Sequence, residues 1–246
     1  MSSFTEENYL KAIYQLSVID KENVVSATAI AHWLALKPPT VLEKLAVLST
    51  KGLVRYNKQD GARLTRKGHE IAINIVRRHR IWETYLYKQL NFTWSEVHEI
   101  AEQLEHVNSD KLIDKIYSIL GNPEFDPHGD PIPDKQGVLP KADRRPLSES
   151  VKGCRCVILG VTEHSEVFLN YLTDLNIALN DKLVVEQIAA YDGSMKLQSQ
   201  KKGSVLISAK AAAQVLVACL KPNCACKGTL KQSKVSFSVQ KRDQNQ

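Results

Sequence analysis

The sequence predicts a mainly α-helical chain with a small β complement, built as two helical units followed by a β-rich one. Three observations carry that reading. Apolar residues recur at helical spacing through most of residues 4–120. Six of the nine prolines fall between residues 121 and 150 and break that pattern. Short apolar runs bounded by turn residues then dominate residues 151–218.

The 246 residues carry 43% hydrophobic and 24% charged side chains, the balance of an ordinary globular protein. No stretch approaches the roughly 18 apolar residues that a membrane span needs. The start, Met1-Ser2-Ser3-Phe4, has neither a basic nor an apolar leader region. With five cysteines, an odd count, this points to the cytoplasm and away from a disulfide scaffold. The net charge of +6 is uneven, because residues 196–246 hold ten Lys and Arg against one acid. Charge alone therefore does not argue for nucleic acid.

The elements follow in order. Thr5, Glu6 and Glu7 suit the start of a helix over residues 4–18, with Leu10, Ile13 and Tyr14 on one face. Asp20–Asn23 reads as a polar turn. Ser26 caps a short helix holding Ile30, Trp33 and Leu34. Pro38-Pro39 suits the first turn of the next helix, which carries Val41, Leu45 and Leu48 and stops at Lys51-Gly52. Leu53–Tyr56 and Ala62–Thr65 flank an Asp60-Gly61 turn and predict a hairpin. Helix, brief turn, helix and basic hairpin together outline a winged helix, whose second helix enters the major groove while the wing lies along phosphate.

Thr65 caps a long helix to about Leu90. Thr93-Trp94-Ser95-Glu96 matches a capping box and predicts a helix to about Asn108; Ser109-Asp110 starts another, closed by Gly121. The proline-rich stretch reads as a crossing followed by a linker. Cys156–Leu159, Lys182–Ile188, Ser194–Gln198 and Ser204–Ile207 are the strand candidates of a small five-stranded barrel, with a helix at His164–Leu175. Residues 220–246 lack a core pattern.

The chemistry concentrates in His98-Glu99-Ile100-Ala101-Glu102-Gln103-Leu104-Glu105-His106. At about 100° per residue, Glu102, Glu105 and His106 fall within roughly a quadrant of His98. His79 and Glu83 are i,i+4 neighbours on the preceding helix. Such imidazole and carboxylate donors suit a moderately hard divalent ion, Mn(II), Fe(II), Co(II), Ni(II) or Zn(II). A metal also relieves repulsion between adjacent carboxylates. A two-metal hydrolase uses the same ligand types, but no nucleophile elbow, phosphate loop or H-E-x-x-H motif is present, and no catalytic residue is assigned. A third reading makes Cys219, Cys224 and Cys226 a thiol sensor attached to the winged helix.

Several motifs carry a specific resemblance. They are Asn8-Tyr9-Leu10 with Ile13-Tyr14, Lys37-Pro38-Pro39-Thr40-Val41, Leu64-Thr65-x-x-Gly68, and Arg78-His79-Arg80-x-x-x-Glu83. Further on come Glu105-His106-x-x-Ser109-Asp110 and Asp126-Pro127-His128-Gly129-x-Pro131-Ile132-Pro133. Across residues 4–135 the chain resembles the diphtheria-toxin-repressor family of metal-dependent transcriptional regulators, which includes the manganese transport regulators. Residues 151–218 are similar, more weakly, to that family's SH3-like domain.

The resemblance implies a winged-helix DNA-binding domain (1–73), a helical metal-binding and dimerisation domain (74–140), a linker (141–150), an SH3-like β-barrel (151–219) and a basic tail (220–246). It implies a homodimeric repressor of metal-uptake genes that binds a double-stranded DNA operator and a divalent metal, with no membrane partner. Asn8, Glu102, Glu105 and His106 match the regulatory metal site; His79, Glu83 and His98 match an ancillary one. His164 lies where the SH3-like domain donates a ligand in some members, with Glu163 and Glu166 nearby. Ser26, Lys37, Pro38, Pro39, Thr40, Glu43 and Lys44, together with Lys58 and Arg63 on the wing, are the implied DNA contacts. A carboxylate at Glu102 is the manganese pattern and favours Mn(II). Asn8 and Lys11 stand where manganese regulators carry acids, and an ammonium has no lone pair to give a metal. Fe(II) therefore stays open.

Overall fold

A computed structural model describes residues 3–19, 24–199 and 203–220. The expected turn at Asp20–Asn23 and the tail, with Cys224 and Cys226, lie outside the described residues. Helix α1 (Phe4–Ile19) packs against α2 (Ala27–Trp33) and α4 (Arg66–Leu90). Ser26 caps α2 by accepting the Ala29 N–H. Lys37, extended as the residue before a proline must be, leads into α3 (Pro38–Thr50). Strands β1 (Val54–Asn57) and β2 (Gly61–Leu64) form the hairpin, and Val25 bridges to Ala62 as a short third strand. Tyr9, Leu10, Ile13, Ile30, Val41, Leu45, Leu48 and Val54 fill one core beneath these elements. This is the winged helix that the spacing predicts.

Helix α4 leaves the wing and runs 25 residues without a break. Thr65 caps it by accepting the Gly68 N–H, and Asn91 ends it in the left-handed conformation with its N–H on Leu86 O. A side chain at Gly68 would meet Leu53 O at 2.0 Å, so glycine lets the helix start lie against the hairpin. Helix α5 is shorter than predicted, Val97–Leu104 rather than to Asn108. The Thr93/Glu96 bonds form, but they shape a turn, and Val97 starts the helix. Ser109 is needed to cap α6 (Asp110–Ile119), so the chain must leave α5 before it.

The proline-rich crossing is held by arginines of α4. Arg77 donates to Pro133 O and stacks 4.3 Å over the Tyr117 ring; Arg80 donates to Pro131 O at 2.6 Å. Arg77 and Arg78 are buried and Arg80 is half-buried, so these three serve packing of the crossing and do not form a solvated or phosphate-contacting face.

The C-terminal unit is a six-stranded antiparallel sheet in the order β3-β8-β4-β5-β6-β7, with β3 at Arg145–Pro146 and β4 at Arg155–Val161. The rest are β5 (Lys182–Ile188), β6 (Met195–Ser199), β7 (Gly203–Ile207) and β8 (Val215–Cys219). Helix α7 (Glu166–Asp174) and α8 (Ala209–Gln214) accompany it, and the fold is SH3-like in class. The sheet has six strands where five were expected, and two of them, β8 and β3, lie outside the four strand candidates. β8 follows α8 with no turn signal between them, and β3 is only two residues long. Residues 145–149, expected as linker, join this unit, with Leu147 fully buried in its core.

The crossing also docks on this sheet. His128 O accepts the Val161 N–H at 2.9 Å. Gly129 has φ +86°, and a Cβ there would meet Leu159 O at 2.0 Å. Gly129→Ala therefore combines strained backbone with a clash against main chain. It should destabilise the protein by at least ~2 kcal/mol. Urea unfolding measures this, and an unchanged midpoint would contradict the packing.

Candidate metal centre

His79 and Glu83 lie one turn apart on α4, both buried. α5 packs against α4 and brings His98 and Glu102 to the same layer. Glu105 is the C-cap of α5, still with helical angles, so it keeps the direction that helical rotation predicts although the helix has ended.

Three imidazoles converge on one carboxylate oxygen. Glu83 Oε1 stands 2.9 Å from His79 Nε2, 3.1 Å from His98 Nδ1 and 3.6 Å from His128 Nδ1. Helical periodicity does not single out His128 as a ligand; the available signal is the Asp126-x-His128 spacing inside a proline-rich loop. Trp94 O lies 2.6 Å from His128 Nε2. A proton on Nε2 leaves Nδ1 free to face Glu83, the arrangement that orients a ligating histidine. Asp126 accepts the N–H groups of His128 and Asp130 at 2.8 and 2.9 Å, which fixes the loop. His79/Glu83/His98 and Glu83/Asp126/His128 each place their donor atoms within 4.8 Å of one another. Their chemistry fits a borderline divalent ion.

The layer continues through His79. Its Nδ1 is 2.6 Å from Glu105 Oε2, while Lys11 of α1 places Nζ 2.6 Å from both Glu102 Oε1 and Glu105 Oε2. His106 Nδ1 pairs with Glu7 Oε2 at 2.7 Å, and its Nε2 is 3.9 Å from Glu105 Oε1. Asn8 Oδ1 and Glu105 Oε1 are buried without a hydrogen-bond partner. Glu105 thus adjoins the Glu83 group through His79, with His106 beside it. His164 reaches the edge from the C-terminal unit. Its ring lies 4.9 Å from that of His128, and its buried Nε2 has no hydrogen bond, Asp130 Oδ2 being 3.8 Å away. Glu163 accepts from Ser165, and Glu166 is exposed.

These contacts set the proton affinities. Burial works to lower His79 and His128, but Glu83 and the other carboxylates outweigh it and raise each to about 9. Burial, reinforced by Glu83 and Asp130, pushes Asp126 up to about 8. Burial also raises Glu102, and the Lys11 ammonium outweighs it to leave the carboxyl low.

Ser26, Lys37, Pro38, Pro39, Thr40 and Glu43 are exposed at the starts of α2 and α3, and Lys58 and Arg63 are exposed on the wing. Arg55 stands opposite Arg63 in the hairpin and adds charge that the sequence reading omitted. Lys44 is turned inward, 3.2 Å from Glu6, which also meets Lys51 at 2.7 Å.

A winged helix joined by one continuous helix to a buried layer of imidazoles and carboxylates defines a metal-dependent DNA-binding regulator. Comparison with known proteins agrees. Residues 1–62 match the iron-dependent repressor N-terminal DNA-binding domain, residues 65–134 the iron-dependent repressor metal-binding and dimerisation domain, and residues 145–219 the FeoA domain. The iron-dependent repressor IdeR of Mycobacterium tuberculosis is 32% identical over 195 residues, covering 74% of this chain and 84% of that protein. The diphtheria toxin repressor of Corynebacterium efficiens is 31% identical over 184 residues, 74% of either chain. A solved manganese-dependent transcriptional repressor in complex with manganese is 31% identical with a TM-score of 0.76, covering 87% of this chain and 99% of its own. Over 90 residues the chain is also 42% identical to a "Probable metal transport system membrane protein" of Chlamydia trachomatis, covering 37% of this chain and 20% of that protein. The chain belongs to the iron-dependent repressor family, whose members are metal-dependent DNA-binding transcriptional repressors and not enzymes. Among the described residues no helix is long and apolar enough to cross a membrane.

The proton affinities carry a sign. A histidine raised in the folded state stabilises the fold fully below its unfolded pKa and ceases to as pH rises through the folded one. For His79 and His128 that window runs from 6.5 to about 9. Asp126, raised to about 8, acts in the same direction, because the folded state holds a proton that the unfolded chain has shed. The metal-free protein should lose stability as pH rises across this window, whereas Mn(II) should bind more tightly as the competing protons leave. Unfolding midpoints at a series of pH values, with and without Mn(II), read both; a metal-free midpoint that climbs would contradict the cluster.

Proposed function

We propose that the chain is a cytoplasmic, homodimeric repressor that binds the operators of metal-uptake genes when loaded with Mn(II) or Fe(II). The convergence of three imidazole nitrogens on Glu83 Oε1 carries this reading. His79, Glu83, His98 and His128 would hold the ion, with Asp126 beside them. A divalent ion supplies there one charge centre able to accept lone pairs from several elements together. Asn8, Glu105 and His106 are the candidate second set, supported by the two buried oxygens without partners. The 90-residue similarity of this chain to a probable metal transport system membrane protein supports a link to metal transport.

The chain's own residues explain how occupancy reaches DNA. His79 and Glu83 ride on the helix that begins at the wing, so fixing them against His98 and His128 fixes the direction of α4. Glu105 accepts from His79 Nδ1 and so orients the ring with Nε2 toward Glu83. Exposed Tyr87, Leu90, Leu112 and Ile119 supply apolar surface for a second copy. In a dimer the setting of α4 determines the spacing of two recognition helices, and both half-sites must be met together.

Titration of operator DNA, recovered by selection from random duplexes, tests the proposal. Mn(II) should tighten binding at least tenfold, and Glu83→Gln should abolish that gain while leaving metal-free binding and the fold in place. Equal affinity with and without Mn(II) or Fe(II) would end the proposal. In the same assay Arg63→Ala should weaken all sequences alike and reduce the log–log salt slope by about one. An unaltered slope removes the wing from the interface.

A further inference from the structure

We propose that Lys11 is the resident cation of the His79–Glu102–Glu105 group, so that its ammonium, and not a divalent ion, ties α1 to the end of α5. The inference rests on the reading that the neighbouring Glu83 group takes the metal. His79, Glu102 and Glu105 have metal-ligating geometry, with donor atoms within 4.8 Å of one another. Lys11 Nζ sits among those same atoms, 2.6 Å from Glu102 Oε1, 2.6 Å from Glu105 Oε2 and 3.2 Å from His79 Nδ1. The last contact is a hydrogen bond only in the tautomer that leaves Nδ1 bare; the carboxylate contacts hold in either. The Lys11 and Glu105 side chains are 5% and 0% exposed.

Charge and tethering decide which cation stays. Two neighbouring carboxylates, one fully buried, need a positive partner. Lys11 is covalently attached and already within reach, whereas an ion from solution must evict a paired ammonium and leave it buried without compensation. An ammonium is donor-only, so it cannot share the site as a ligand. A second set of ion pairs reinforces the arrangement. Glu6, one turn earlier on α1, pairs with Lys44 and Lys51 of α3 and the residue after it. Helix α1 is therefore bolted by opposite charges to the recognition helix at one point and to the metal layer at another. Its seat does not wait for metal. Lys11 covers only one side of Glu105, whose Oε1 remains unpartnered toward His106.

The full-length protein, wild type and variants, is tested by amide exchange across Tyr9–Tyr14 and by elemental analysis of Mn(II) retained after desalting. Wild-type α1 should stay protected in EDTA, whatever an ion at Asn8, Glu105 and His106 adds in Mn(II). Lys11→Met should exchange at least tenfold faster in EDTA, regain protection in Mn(II) and retain about one more ion per chain; Lys11→Arg should behave as wild type. Glu102→Gln tests the idea without disturbing a buried residue: α1 exchange should quicken while the ion count stays that of wild type. A count lower by one in Glu102→Gln, an unchanged count in Lys11→Met, or wild-type α1 protection that EDTA removes would each overturn the proposal. Failure of the underlying reading looks different, since Glu83→Gln would then retain as much Mn(II) as wild type.

Discussion

Burial of like charges organises this protein. Glu83 and Glu105 are withdrawn from water, and neither can be tolerated there without cations around it. The chain answers in two ways. Around Glu83 it assembles imidazoles, groups that become positive by taking a proton or stay neutral and offer lone pairs. Around Glu105 it supplies a lysine ammonium, tethered to α1 and donor-only. The first answer is conditional on what the surroundings provide, and the second is not. That contrast separates a responsive region from a fixed one within a few ångströms.

The scaffold follows from this need. α4 has to carry His79 and Glu83 on one stripe, and it is long because it also forms the back of the winged helix. α5 has to deliver His98 and Glu102 to that stripe, and a short helix suffices. The proline-rich crossing carries His128, so Arg77 and Arg80 pin it from α4. Gly129 then lets the crossing press against the last sheet with no side chain between. Cys154 and Cys219, with sulfurs 3.3 Å apart, belong to that sheet's core.

Much of this was legible in the residues. Caps at Ser26, Thr65 and Ser109 and the Pro38-Pro39 pair are local signals, and they placed four helices to within a residue or two at their starts. Helical rotation brought His98, Glu102 and Glu105 to one face even though the last lies beyond the helix. Three things were hidden. His128 reaches the cluster through tertiary packing of a loop, which no periodicity reports. Strand β8 is an unbroken apolar run directly after a helix and carries no punctuation. Lys11 was read by what it lacks as a ligand; that it is a substitute for one depends on a contact 94 residues distant in sequence.

The unbroken course of α4 has a mechanical meaning. His79 lies thirteen residues beyond Arg66, about 20 Å along the helix axis. No proline interrupts that interval, and its one glycine, Gly68, lies in the first turn. A twist imposed at the imidazole layer is transmitted as rotation of a stiff shaft, and the DNA-reading head at its end sweeps an arc instead of merely loosening. Control of this kind needs no unfolding, only a few degrees of turn multiplied by the distance to the groove.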